Sequence, residues 1–437
     1  MSAATHSRST ALTSGLPASS SGRRGSHRAQ VDTADRMGRT VRRDTVDAFQ
    51  GIGKLRLLEL IGGFALIFEG AFFGIPLPFN QVVMIGLIVL ALTRRPTRDL
   101  NLVQWAFPLL TIGLLYLGLF SLFAEPTAYA GDWKRRLLRM GLTLVFLGFL
   151  AAGRLCLRSL LTGLGIGLVV NLVAFLMGLN PNYYNGALSG WFVDKNVAGL
   201  SYALYGILLL FVVRKTKWRL LLFIAGGGML WMTGSRTSLA GLTAAAVWIL
   251  ISPYLPVIGR WLLGVATYAG VVFAAEDYSQ IGVFSDREGS DLLRARIDAA
   301  SELKVKASGF FGDGLGEAYV VFPDNPDKAW FFHNSYWTAL VEGGWPWLVL
   351  VLGVTVLVGA KPFTRVLSRE EILVQAATVA VLVCCWRLGE VFMTVQWALV
   401  MGVALYVSAR PLDVDPLAKR GSHRQSATTR SRVRTRS

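Results

Sequence analysis

The chain has 437 residues, of which 53% are hydrophobic and 16% charged, and its formal net charge is +17. A soluble globular protein carries about a quarter charged residues, so the composition excludes an ordinary soluble domain, and the lack of strand-period alternation excludes an outer-membrane barrel. Much of the charge is peripheral: residues 1–56 hold ten Lys/Arg against four Asp/Glu, and residues 410–437 hold eight against two.

Residues 1–56 come first, a basic stretch rich in Ser, Thr, Gly and Arg without apolar periodicity, which reads as a disordered cytoplasmic tail. Its charge suits anionic lipid headgroups, and no nucleic-acid partner is expected. No apolar leader precedes the first hydrophobic run near Leu57, so no signal peptide is expected. Apolar runs then recur at 57–75, 78–93, 102–123, 137–152, 155–179, 197–213, 218–233, 237–252 and 257–275, and again at 334–359, 371–387 and 391–409. Runs of about 17 to 25 apolar residues cross a bilayer as helices, because lipid leaves no other partner for the backbone. The expected fold is therefore an all-α polytopic membrane protein with about twelve transmembrane helices. Nine lie in 57–275 and three in 333–409, around one long external loop, 276–332, and a second disordered tail follows at 410–437. Cys156, Cys384 and Cys385 lie in or beside apolar runs with no metal spacing and read as reduced packing residues.

The short connections orient the bundle. Arg94-Arg95-Pro96-Thr97-Arg98, Arg154 to Arg158, Arg214 to Arg219, Gly259-Arg260 and Lys361 to Arg369 are basic and fall on one side with both tails, which the positive-inside rule makes cytoplasmic. Positive residues also fall on the other side: Lys134, Arg135, Arg136, Arg139, Arg236, Arg287, Arg294, Arg296 and Arg387. Arginines there run against the usual bias and point to an anionic ligand such as a phosphate. Snorkelling or an internal pair, Arg387 with Glu390 for example, is the competing account.

Loops as long as 276–332 are usually functional. Gly289 or Ser290 can cap a short amphipathic helix with Leu293, Ile297 and Ala300 on one face, and Arg294–Asp298 and Glu302–Lys306 are spaced to pair. Arg294 and Arg296, two apart, project to nearly opposite faces. Gly309-Phe310-Phe311-Gly312-Asp313-Gly314-Leu315-Gly316 is either a turn or a cradle of backbone N–H groups for a phosphate. Pro323 to Asp327 is either a solvated turn or a carboxylate site for a cation.

His333 is the one histidine outside the polar tails. It stands where the long loop meets an apolar run, so it is either a general base at a helix mouth or a group that satisfies the helix entry. Asn334 can cap that helix. Glu342 lies about two turns inside it, where an ionisable group is expensive and is expected to pair with an arginine or to orient His333. Asp194, Lys195 and Asn196 open another span and either shape a cavity mouth or form a surface pair.

Four segments together resemble the O-antigen ligase and polymerase superfamily. They are Gly190-Trp191-Phe192-Val193-Asp194-Lys195-Asn196, Thr233-Gly234-Ser235-Arg236-Thr237-Ser238, Arg294 through Gly316, and His333-Asn334-Ser335-Tyr336 with Leu340-Val341-Glu342-Gly343-Gly344. Order and topology match over roughly residues 55–410, though each motif is weak by itself. The resemblance implies a glycosyltransferase of a bacterial plasma membrane, working at its outer face. The donor is a glycan on an undecaprenyl-pyrophosphate carrier, the acceptor a lipid-linked or cell-surface glycan, and neither metal nor cofactor is required. On that footing His333 is the general base, and Arg236 and Arg294 hold the pyrophosphate, with Arg296 and Arg287 in reserve. The loop offers two arginines where the family has one, and the sequence does not choose between them. Asn334, Glu342, Asp194 and Asn196 are supporting residues. A polymerase on the same carrier is an equal reading of the chain. A transporter or flippase of a lipid-linked sugar is the reading from a different class; no internal repeat is evident, and the polar residues gather at one face rather than the midplane.

Overall fold

The computed structural model describes residues 55–412 except 73, 74, 185 and 278–287. Residues 1–54 and 413–437, nearly all of both basic tails, and Arg287 lie outside the described residues. The described residues are mostly helical, with few strands and no barrel among them. Each of the twelve apolar runs contains all or most of a helix: α1 (Leu57–Ala65), α2 (Phe79–Leu92), α3 (Ala106–Phe123), α4 (Trp133–Ala151), α5 (Leu157–Leu176), α6 (Lys195–Leu209), α7 (Thr216–Thr233), α8 (Arg236–Ile251), α9 (Val257–Asp277), α11 (Ser335–Val354), α12 (Arg369–Cys385) and α13 (Val395–Ser408). The remaining helix, α10 (Glu288–Ala307), is the amphipathic helix of the long loop. Among the described residues four helical segments are long and apolar enough by themselves to cross a membrane: Ala106–Phe123, Leu157–Leu176, Arg236–Tyr254 and Ser335–Ala360.

Strands appear where none was expected. The run at 57–75 is helical only to Ala65, because Gly70, Pro76 and Pro78 cannot sustain a helix. It continues as a small ribbon, β1 (Ala71–Phe72) against β2 (Ile75–Pro78). In the long loop β4 (Tyr319–Phe322) and β5 (Asn325–Phe331) form an antiparallel hairpin, whose aromatic and β-branched residues favour a strand. Val320 and Phe322 of this hairpin, Ile297 of α10, Phe332 and Val341 build a small apolar core apart from the main one. A third ribbon pairs β3 (Arg98–Asp99) with β6 (Arg410–Pro411).

That last ribbon ties the connection after α2 to the end of α13. The other basic connections are tied together in the same way: Arg56 N–H donates to Ser159 Oγ at 2.9 Å, Arg154 to the Arg94 carbonyl at 2.9 Å, and Arg369 to Thr216 Oγ1 at 3.3 Å. The basic connections thus form one end of the bundle. The helix ends at 123, 133, 195, 236, 335, 385 and 395, with α10 and the hairpin, form the opposite end.

At that opposite end α11 is broken. Gly344 has φ 64° and ψ −166°, and the Trp345 N–H donates to the Phe310 carbonyl at 3.0 Å. A Cβ on Gly344 would lie 2.0 Å from that carbonyl oxygen, so the close approach requires glycine. The glycine-rich segment 309–316 is therefore a turn packed on α11. Three of its N–H groups donate to other elements of the protein: Asp313 to the Val341 carbonyl, Leu315 to Ser121 Oγ, and Gly316 to Glu342 Oε1.

Candidate functional site

His333 sits between β5 and α11, and its position follows from how that junction is stitched. Asn334 caps α11, its Oδ1 accepting from the N–H groups of Tyr336 at 2.9 Å and Trp337 at 3.3 Å. One residue before His333, Phe332 is buried and its N–H donates to the Ala318 carbonyl at 3.0 Å. On the other flank Ser335 Oγ donates to the Leu388 carbonyl, and Thr338 Oγ1 to that of Gly389 at 2.8 Å. A Cβ on Gly389 would lie 1.7 Å from the Phe332 carbonyl oxygen, so the 386–394 connection and the histidine segment meet backbone to backbone.

The imidazole is 31% exposed, and its Nδ1 lies 3.8 Å from Asp298 Oδ1. Burial, then the Arg294 guanidinium, lower its pKa to about 4, with Arg387 adding and Asp194 opposing. It is therefore neutral at pH 7. Burial and a neighbouring cation are the reason. Asp298 is itself held above the usual carboxylate range, its burial outweighing Arg387 and Arg294.

Two adjoining cavities meet at this histidine. The larger, about 450 Å³, is lined by Glu69, Asn80, Gln81, Arg139, Glu390 and Gln396 among others. The smaller, about 250 Å³, is lined by Lys195, Gly234, Arg236, Thr237, Leu293 and Ile297. His333, Arg294, Asn196 and Trp330 line both. The structure thus brings together His333, Arg294, Arg236 and Asn196 from α6, α8, α10 and the mouth of α11.

The neighbouring arginine goes elsewhere. Arg296 forks onto Asp324 with contacts of 2.8 and 2.5 Å and lies 4.0 Å over the Phe322 ring. The two arginines project apart as helical spacing demands, and Arg294 is the one facing the cavities. The same fork engages Asp324 in the turn between β4 and β5, with 325–327 already in strand β5; among the described residues no group of three His, Cys, Asp or Glu side chains is placed to hold a metal ion.

Asp194 caps α6 through the N–H groups of Asn196 and Val197, and its second oxygen accepts from Tyr184 at 2.9 Å. It also lines the larger cavity. Glu342 pairs with Arg136 at 2.8 Å with both side chains largely buried, the arginine partner rather than His333. Arg387 pairs with Asp298 at 3.0 Å and not with Glu390, because Glu390 is taken by Arg139 at 2.9 Å and Arg136 at 3.6 Å. Burial pushes the Glu390 carboxyl up, but Arg136 and Arg139 outweigh it and hold its pKa below the usual value.

Sequence reasoning passed over Glu69, Asn80, Gln81 and Gln396, and took Glu390 only as a partner for Arg387. Each is a polar residue in or beside an apolar run, where such side chains are costly and face the interior or a cavity; that was the available signal. No protein-family model matches this chain, and no curated protein matches it either.

Proposed function

We propose that the chain is a membrane glycosyltransferase of the O-antigen ligase type. It moves a glycan from an undecaprenyl-pyrophosphate carrier to a hydroxyl of a lipid-linked or cell-surface acceptor. The observation that carries this reading is a neutral imidazole shared by two cavities, with Arg294 beside it and Arg236 in the wall of the smaller one. The twelve helices then cross a bacterial plasma membrane, the basic end and both tails face the cytoplasm, and the cavities face outward.

In this scheme the bond between the sugar's anomeric carbon and the pyrophosphate oxygen breaks, and the bond from that carbon to the acceptor oxygen forms. The electron pair of the broken bond leaves with the pyrophosphate. Guanidiniums suit that leaving group, since they stay charged and grip phosphate oxygens in pairs. The acceptor's proton goes to His333, and Asp298 across from Nδ1 balances the imidazolium that forms. An imidazole with a pKa near 4 is a weak base in the free protein. Pyrophosphate arriving beside Arg294 offsets one of the two main causes of that depression, so donor binding strengthens the base when it is needed. The charge that breaking the bond demands is met by side chains, and the reaction is proposed to need neither metal nor cofactor.

Purified protein given the lipid-pyrophosphate glycan and an acceptor is expected to release the carrier pyrophosphate without added divalent cation. Strict dependence on a divalent cation, or full turnover by His333→Ala, would contradict the scheme. Deleting the gene in its host separates the rivals: long unattached chains mean a ligase, single repeat units a polymerase, and no accumulation a transporter.

A further inference from the structure

The proposed chemistry occupies the smaller cavity and the shared wall, and leaves the far side of the larger one without a role. That far side is built around the start of α2. Asn80 and Gln81 are each 6% exposed and line the cavity. Among the described residues their side-chain oxygens, Asn80 Oδ1 and Gln81 Oε1, have no hydrogen-bond partner. Buried amides are nearly always paired, so two adjacent exceptions in side chains that line one cavity need a reason. Across from them Gln396 is held in place, its Nε2 donating to Glu69 at 2.8 Å and to Ser201 at 2.9 Å.

The chemistry of this lobe differs from that of its neighbour. The smaller cavity offers Lys195, Arg236 and Arg294 and no carboxylate. The larger adds Glu69, Asp194 and Glu390, and its further arginine, Arg139, is bound to Glu390. The larger lobe is thus less cationic than the smaller one and suits a phosphate less well. Amides and carboxylates side by side supply the donors and acceptors that a neutral polyol needs, and Trp330 and Phe331 in the same wall present apolar surface to ring C–H groups.

We infer that this lobe, marked by Asn80, Gln81, Glu69 and Gln396, is the acceptor subsite and binds the hydroxyls of the acceptor's terminal sugar. The inference rests on the glycosyltransferase reading and adds a direction to it. The hydroxyl approaches His333 from the α2 side, while the pyrophosphate lies on the Arg236 side. Asn80 and Gln81 are positioning residues for the acceptor and take no part in the proton transfer.

The test uses the full-length protein in detergent. The donor is the pyrophosphate-linked glycan pool from the deletion host, and the acceptor is that host's pyrophosphate-free glycolipid pool. Asn80→Ala and Gln81→Ala are each expected to raise the acceptor KM about tenfold, the equivalent of one lost hydrogen bond to a sugar hydroxyl. The donor KM and the kcat at saturating acceptor stay unchanged. Binding of inorganic pyrophosphate also stays at the wild-type level, which shows that each variant is folded, whereas Arg294→Ala weakens it. Should one alanine variant lose pyrophosphate binding, the other carries the measurement. An unchanged acceptor KM in a folded variant, or a rise in the donor KM instead, overturns the inference and leaves the transferase reading standing. A wild-type protein that transfers nothing overturns both.

Discussion

The buried pair Arg136–Glu342 permits the most quantitative test of how this site is held. Glu342 is 1% exposed and Arg136 12%, at 2.8 Å, and Glu342 Oε1 also accepts the Gly316 N–H at 3.1 Å. Glu342→Ala removes both interactions and leaves a cation and a backbone donor inside the protein. Breaking a buried pair from one side costs about 3–5 kcal/mol, and a stranded donor adds about 1–3 kcal/mol. Glu390, 3.6 Å from Arg136, remains as a second counter-charge and offsets part of this. The expected net loss is about 3–4 kcal/mol. Arg136→Met combined with Glu342→Met removes both charges and is expected to lose less than Glu342→Ala, since no charge is then stranded. The assay is loss of helical circular dichroism as SDS displaces a mild detergent. A loss below about 1 kcal/mol for Glu342→Ala, the range of an exposed pair, would refute the reasoning. So would a double variant no more stable than the single one.

Other outcomes follow from the same geometry. His333→Ala should cut turnover by roughly 10²–10⁴-fold, the usual worth of a general base, while inorganic pyrophosphate binding measured by calorimetry is retained. Because the folded pKa of His333 is lowered from 6.5 to about 4, its base form is present across neutrality and is lost as pH falls through about 4. The acid limb of kcat/KM should lie there, and that of kcat, which reports the donor-bound protein, should lie higher; coincident limbs at 6.5 would count against the site described. The stability contributed by keeping this imidazole neutral is complete above pH 6.5 and is lost between 6.5 and 4, which acid titration of the melting curve can follow. Arg294→Ala should raise the donor KM and weaken pyrophosphate binding, whereas Arg296→Ala breaks an exposed fork with Asp324 and should leave both within about twofold. Gly389→Ala forces a Cβ against the Phe332 carbonyl and should reduce turnover by displacing the His333 segment; wild-type kcat in that variant would show that the segment is not held there.

Much of the helical layout was legible in the chain because it depends on local quantities. Apolar run length sets where helices form, and Asp194 and Asn334 announce two helix starts. The ribbon at Ala71–Pro78 and the hairpin at Tyr319–Phe331 were missed, since short strands inside long apolar or loop segments carry little periodic signal. For the site, the spacing of Arg294 and Arg296 showed that they must diverge, but helical spacing has no absolute direction. Only the packing of Ile297 against Phe332 and Val341 decides which arginine faces the cavities. The partners of Glu342, Arg387 and Glu390 likewise depend on which helices touch. Arg136 and Glu342 are more than two hundred residues apart in sequence, and no local pattern encodes that contact. The sequence by itself determined which residues are polar where polarity is costly; the tertiary structure decided which of them meet, because charges and amides withdrawn from water must find partners from whatever elements packing brings beside them.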